Sequence, residues 1–400
     1  MSETFIISIK TLTPIWTGDV NGRCTEIKET GILGSLRWWY EAIVRGLGGY
    51  VCDSLNESCE FDTKGYGNAL RSGKSIENAL AVGLKEVCPV CRLFGCGGWK
   101  RQFQLYTMDA PTTPLHFRTS VDMNKNWLRR IFGGESQDID NLNVFYGELT
   151  FRFLLKGKDN DYIRSQLVML FRFISEYGGL GAKLQHGFGQ IQVLKIEPPI
   201  RDKLLVEDGL KELSQRIQKV ETTTANMPYN LEHFILLEYV LSAPSLKPFM
   251  LQSSHIGKIS KNQEDMYIPC AFDLRYKGKD KFGMRRWLKD IKKWSESDNP
   301  KNLGQIDQLL GPRSQWDTYG KTVKIDENFR TASRLCFGMP YKIDDKDYRL
   351  RIFGFAPPSL KVPEGEMTAS LLDTYCKEYM KYAFNVTSTK VTFGKDILQV

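Results

Sequence analysis

Apolar and polar residues alternate from the start of the chain: Phe5, Ile7 and Ile9 fall between Thr4, Ser8 and Lys10, the two-residue period of a half-buried strand over 4–12. From Ile32 to Leu47 the period changes. Leu33, Leu36, Tyr40, Ile43, Val44 and Leu47 recur at three- and four-residue spacing, the face of a helix that packs on a sheet. Thr30 is the expected N-cap, and Gly46, Gly48 and Gly49 end the helix. Between Tyr50 and Gly98 the text turns Gly-, Cys- and charge-rich and reads as an irregular inserted lobe. Strands are expected at 103–108, 115–121 and 143–155, a second amphipathic helix at 161–177, and a strand at 188–196. This order of strand, helix, insert, strands, helix and strand predicts an α+β fold of the ferredoxin-like (RRM-like) kind.

Segment 200–232 is polar, includes Thr222-Thr223-Thr224, and reads as a helix plus linker. The pattern then restarts. Strands are expected at 234–241, 334–340, 348–355 and 390–393, and helices at 284–294 and 371–382. The expected organisation is therefore tandem: a first ferredoxin-like domain over 1–200 with a Cys-rich insertion at about 50–100, a linker over 201–232, and a second such domain over 233–400.

Composition narrows the setting. The 400 residues are 42% hydrophobic and 12% aromatic, enough for packed cores. No apolar run reaches the roughly 18 residues of a membrane helix. Phe5-Ile6-Ile7 is broken by Ser8 and Lys10, so no secretory signal is read, and nine cysteines are an unpromising count for a disulfide framework. The expectation is a cytoplasmic protein whose thiols serve a metal or the core.

The net charge of +8 is unevenly placed. Residues 71–130 hold ten Lys/Arg against four Asp/Glu, and a second basic stretch runs from Arg275 to Lys293. Such clusters suit a polyanion as well as a solvated face.

Three motifs carry candidate chemistry. Cys88-Pro89-Val90-Cys91 offers two sulfurs to one tetrahedral ion, and Cys52 and Cys59 upstream supply two more, with Cys96 or a histidine as substitutes. The Pro- and Gly-rich setting argues against a redox Cys-x-x-Cys, which opens a helix beside a strand. One structural Zn2+ per chain is expected. The second motif, residues 178–189, places five glycines in twelve residues, with Lys183, Gln185 and His186 as donors and Phe188 as a stackable ring. It follows a helix and precedes a strand, so it is not a dinucleotide fingerprint, and it lacks the Gly-Lys-Ser/Thr of a P-loop. It is either an amide-lined phosphate cradle or a structural glycine hairpin. The third motif is Gly31-Ile32-Leu33-Gly34-Ser35-Leu36-Arg37-Trp38-Trp39, where glycines at a helix start suit an anion and Arg37 and Arg45 lie off the apolar face. Trp38 and Trp39 serve either base stacking or the core.

In chain order, the Gly31-Ile32-Leu33-Gly34-Ser35-Leu36-Arg37 helix entry, the Cys-Pro-Val-Cys-Arg-Leu-Phe-Gly element (88–95) and the glycine-rich loop 178–189 before a strand resemble the RAMP superfamily of CRISPR effector proteins. The Ser-Leu-Arg-Trp-Trp form of the helix entry resembles the large two-domain RAMP subunit at the capping end of the type III-B (Cmr) complex. The resemblance covers roughly the first 200 residues. It implies a non-catalytic subunit that holds the crRNA 3′ side, helps capture target RNA for antiviral defence, and contacts other RAMP subunits of the Cmr complex. Carried over by position, the RNA contacts are Arg37, Lys183, Gln185, His186 and Phe188. Arg45 joins them from its place on the helix, and Arg92, Lys100 and Arg101 on charge alone. The competing expectations are a metal-independent endoribonuclease of the crRNA-processing RAMP type, with His186 the candidate acid or base, and an architectural protein that touches only other subunits.

Overall fold

The computed structural model describes residues 3–18, 24–53, 58–108, 112–119, 142–199, 205–217, 229–242, 244, 255–259, 266–267, 271, 274–275, 283–296, 303–312, 315–316, 322–323 and 332–399. The first strand, β1 (Glu3–Thr11), keeps the expected alternation: Phe5, Ile7 and Ile9 are buried, and Thr4 and Lys10 are exposed. Helix α1 (Glu29–Gly46) buries Ile32, Leu36, Trp39, Tyr40, Ile43 and Val44 in one stripe. It begins earlier than the Thr30 cap predicts. The Lys28 amide donates to Thr17 Oγ1 at 2.9 Å, so an oxygen eleven residues upstream organises the entry.

The lobe that reads as irregular is helical. It contains α2 (Thr63–Arg71), α3 (Ile76–Gly83) and α4 (Pro89–Phe94). Their N-caps are Asp62, Ser75 and Cys88, each accepting a backbone amide from the first turn. The chain then forms β2 (Phe103–Met108), β3 (Thr112–Thr119), β4 (Leu142–Phe145), β5 (Glu148–Leu155), α5 (Asn160–Tyr177) and β6 (Ile191–Glu197).

The first sheet has the order β2-β5-β1-β6, antiparallel throughout, with β1 hydrogen-bonded to both β5 and β6. Helix α5 is capped by Asp159, whose carboxylate accepts the Tyr162 amide, and it buries Leu167, Leu170, Phe171 and Ile174. Phe171 meets Phe151 and Phe153 of β5 at 5.5 and 5.8 Å. Fully burying a ring of that size stabilises by about 2–3 kcal/mol. The next helix, α6 (Val206–Arg216), lies against α5: a side chain at Gly209 would run into Met169, and Ser165 donates to Glu212 at 2.6 Å.

Strands β3 and β4 depart from the expected first-domain sheet. They form a separate ladder in which β3 also pairs with His255–Ile259 of the second half. The predicted strand at 188–196 starts at Ile191, because Leu184–His186 form a 3-10 turn and Gly187 and Gly189 have positive φ.

The second half repeats the first arrangement. The strand β7 (Phe234–Ser242) lies between Asp347–Phe355 and Lys390–Phe393, and Leu335–Phe337 completes the path. With the short strand Tyr341–Lys342 set aside, which pairs off the path with Asp347–Phe355, the order is again second, third, first, fourth. Both faces of this sheet are covered, which is why Phe234, Ile235, Leu236 and Leu237 are all buried. Arg351, Phe353 and Phe355 turn towards the first half. Arg351 donates to the Ser175 carbonyl at 3.0 Å, and Phe353 and Phe355 lie 6.3 and 6.2 Å from Trp39. The opposite face, with Tyr239, takes the helix Ala369–Phe384 that carries Cys376 and Tyr379. One continuous buried cluster therefore spans both halves. Among the described residues no helix is long and apolar enough to cross a membrane.

Candidate functional site: a four-cysteine centre and a glycine loop on one helix

Cys52, Cys59, Cys88 and Cys91 are all buried, with their sulfurs within 4.8 Å of one another. Cys52 and Cys91 are 3.5 Å apart and Cys88 and Cys52 3.8 Å. A tetrahedron with metal–sulfur bonds of about 2.3 Å has edges of about 3.8 Å, so the four residues fit one tetrahedral ion. Backbone amides also point at sulfur: Cys88 N–H to Cys59 Sγ at 3.3 Å and Cys91 N–H to Cys88 Sγ at 3.4 Å. Such donation favours thiolates, the ligand form of cysteine. The Cys88 thiol is pulled down to about 5, first by its hydrogen bond with Cys91. Burial pushes Cys59 up to about 12.

The local structure corrects one sequence reading. Cys88 caps α4 and Pro89 takes its first position, so the Cys-x-x-Cys does open a helix. The site is distinguished from a redox motif by the second pair of cysteines. Cys96 is half-buried outside the four.

Helix α1 holds this centre on one side. Arg37, expected at an RNA phosphate, turns inwards: Nη2 donates to Cys91 Sγ at 3.3 Å, Nη1 to the Gly95 carbonyl at 3.4 Å, and Nε to Glu41 at 3.0 Å. Arg45 meets the same Glu41 at 3.4 Å and donates to the Tyr229 carbonyl at 3.3 Å. Glu41 stands four residues from each arginine, the spacing of helical ion pairs, and is the signal that sequence reasoning missed. Arg92 binds the Val87 and Leu84 carbonyls, both at 2.9 Å, and so ties the lobe together. Arg101 donates to the Phe103 carbonyl at 2.8 Å and lies over that ring. Lys100 is exposed.

Two residues before Arg37, the same helix holds the glycine loop: Ser35 Oγ accepts the Gly181 amide at 3.0 Å. Most of the loop is packed. Phe188 is 1% exposed with its ring edge-on to Trp16 at 5.7 Å, so it is not a stacking platform. His186 is buried, and burial holds its imidazole well below the usual range. The Gln185 carbonyl accepts from Arg275 of the second half at 3.3 Å. A Cβ at Gly187 would lie 2.6 Å from the Met339 amide nitrogen, and one at Gly178 2.3 Å from the Trp39 ring. Trp39 is fully buried and donates to the Gly179 carbonyl at 2.8 Å, while Trp38 is half-buried against Tyr229 and Phe355. The loop thus forms a seam between the halves.

Lys183 differs from its neighbours. It adopts φ 61°, rare for a side-chain-bearing residue, and its ammonium lies 4.7 Å above the Trp16 ring. Burial lowers its pKa to about 8. Gly34, beside Ser35 on α1, is exposed, and a Cβ built there meets nothing within 4 Å.

Searches against known proteins place the chain. The apo crystal structure of Cmr1 from Pyrococcus furiosus is similar at 13% identity and TM-score 0.47, over 96% of this chain and 98% of that one. A chain of the type III-B Cmr-beta cryo-EM structure bound to cognate target RNA and AMPPnP, in the presence of ssDNA, is similar at 10% identity and TM-score 0.35, over 89% of this chain and 94% of that one. A chain of a type IV-B CRISPR complex gives 15% identity and TM-score 0.31, over 50% and 93%. No curated protein matches the sequence. Residues 8–192, which span α1, the cysteine lobe and the glycine loop, match the model of the RAMP superfamily.

Proposed function

We propose that the chain is a non-catalytic RNA-binding subunit of a type III-B CRISPR ribonucleoprotein, made of two ferredoxin-like domains, with a structural zinc in the lobe of the first. In this reading it grips crRNA or target RNA by the backbone, beside other RAMP subunits, in antiviral defence. The observation that carries it is the bare helix face at Gly34, on the helix whose next residue, Ser35, holds the loop that carries Lys183. Glycine inside a helix costs about 1 kcal/mol relative to alanine. Packing requires glycine at 178, 187 and 189, but at 34 there is open space. An exposed glycine with no internal reason leaves room for a ligand backbone to approach, and Lys183 supplies a cation. Buried, weakly basic His186 is a poor proton donor near neutral pH, which supports the absence of catalysis.

Gly34→Ala tests this directly. The variant is expected to fold with equal or slightly higher thermal stability, by up to about 1 kcal/mol, while its affinity for single-stranded RNA falls in fluorescence anisotropy. Unchanged affinity sinks the assignment of this face. Co-purified RNA carrying one repeat-derived 5′ sequence would identify the partner.

Lys183 adds a pH signature. With its pKa near 8 the ammonium is charged at pH 7 and neutral above pH 9. Phosphate binds the charged form, so affinity should fall as pH rises through about 8. Lys183→Arg, charged throughout, should flatten that fall. Lys183→Ala should reduce the salt slope of binding by about 0.7, the value of one single-strand phosphate contact.

A further inference from the structure

Four thiolates around one divalent ion leave a net charge of about −2 in a buried site. A buried charge of that size needs donors and an opposite charge near it. The backbone amides of Cys88 and Cys91 supply two hydrogen bonds to sulfur. The guanidinium of Arg37 supplies a third, to Cys91 Sγ, together with positive charge.

We infer that Arg37 is the positioning residue of the metal centre, stabilising the Cys91 thiolate through Nη2 while Nη1 holds the Gly95 carbonyl that follows α4. This rests on the metal reading proposed above and reassigns an arginine whose place in the helix entry suggests an RNA phosphate. Its side chain is built for the inward task. Three nitrogens of one planar fork reach three different acceptors at 3.0–3.4 Å: carboxylate, carbonyl and sulfur. Lysine cannot satisfy that set at once.

The geometry also connects the centre to the seam between the halves. Glu41 holds Arg37 on one side and Arg45 on the other, and Arg45 reaches the carbonyl of Tyr229. The Tyr229 ring packs on Phe355 at 5.6 Å. The Cys91 sulfur is thus linked to the second sheet through two ion pairs, two hydrogen bonds and one ring contact.

The test uses full-length wild type, Arg37→Met and Arg37→Lys, stripped of metal under reducing conditions and titrated with Co2+ against a competing chelator. Wild type should show tetrahedral d–d bands and sulfur-to-cobalt charge transfer. Arg37→Met should weaken Co2+ affinity roughly ten- to a hundredfold, as loss of an outer-shell partner does elsewhere. Its charge-transfer band should move to longer wavelength, because a thiolate relieved of a donor gives up electrons more readily. Arg37→Lys should recover part of the affinity, through charge, with the band still displaced.

An Arg37→Met protein with wild-type affinity and an unmoved band overturns the inference, as does one that keeps its metal but loses RNA affinity. If Arg37→Met does not fold, the band of Arg37→Lys decides, and an unmoved band there overturns it equally. Wild type that shows no cobalt bands at all overturns the metal reading itself, a separate outcome.

Discussion

Cys88→Ser is expected to abolish stoichiometric zinc and to melt the lobe while the first sheet survives. Apart from α4, whose Val90, Leu93 and Phe94 are buried, and Phe61, the lobe has little else to hold it. Its helices have nine, eight and six residues, below the about 12–15 that an isolated helix needs in water. Helix α2 buries Ala69 alone, and α3 buries Ala79 and Gly83. Those small side chains contribute far less than the apparent binding energy of a structural zinc, about 10–16 kcal/mol in small finger peptides. Cys88 is the most consequential of the four because it caps α4, approaches Cys52, and takes the Cys91 amide. Limited proteolysis with mass readout should show new cuts between 58 and 98, and near-native strand signal should remain in circular dichroism. Chelation of the wild type should give the same cuts, reversed by adding zinc. Protons compete with the ion: burial raises Cys59 to about 12, and the Cys91 thiol is also raised by its hydrogen bond with Cys88. Metal binding should therefore release protons, and zinc retention should fall as pH is lowered from 7 to 5. A Cys88→Ser protein with full zinc and an unchanged digestion pattern would falsify this account of the lobe.

What could be read from sequence, and what could not, follows the range of the interactions. The strands at 103–108 and 390–393 and the long helices follow from local alternation and periodicity, because burial of one face is written into consecutive residues. The entry of α1 depends on Thr17, and its oxygen lies outside any helical window. The lobe helices are only six to nine residues long, too short for an apolar period to stand out from the surrounding text. Their caps, Asp62, Ser75 and Cys88 followed by Pro89, are the signal that the reading of an irregular lobe passed over. Strand β3 pairs with a segment more than a hundred residues away, which no local pattern announces. At the site, cysteine chemistry grouped Cys52, Cys59, Cys88 and Cys91, which the fold brings within 4.8 Å of one another, because few residue types do what a thiolate does. A cation off the apolar face satisfies phosphate, carboxylate and thiolate equally, and only the fold shows that Arg37 reaches Glu41 and Cys91.

Gly189→Ala is expected to lower the melting temperature by roughly 4 °C, the counterpart of a loss of about 3 kcal/mol in a chain of 400 residues. Two effects combine. The residue has φ +84°, a conformation that costs an L-residue about 1–2 kcal/mol. A Cβ there would also lie 2.2 Å from the Leu180 carbonyl oxygen, a backbone atom with no flexible end to swing away. Relief of that contact must pull apart the pair of hydrogen bonds that closes the loop, Leu180 N–H to Gly189 O at 2.8 Å and Gly189 N–H to Pro14 O at 2.7 Å. The neighbouring Gln190 then shifts. Its amide leaves Thr13, and its side chain loses the Met339 carbonyl, one of the bonds that join the halves. RNA affinity should fall as well, but together with stability, and it should recover on cooling. Gly34→Ala should show the reverse separation, with affinity lost and melting temperature kept. The two alanines therefore separate a glycine required by packing from one whose face is open. If Gly189→Ala melts like wild type while binding is lost, the loop acts directly on RNA and its glycines are not there for packing.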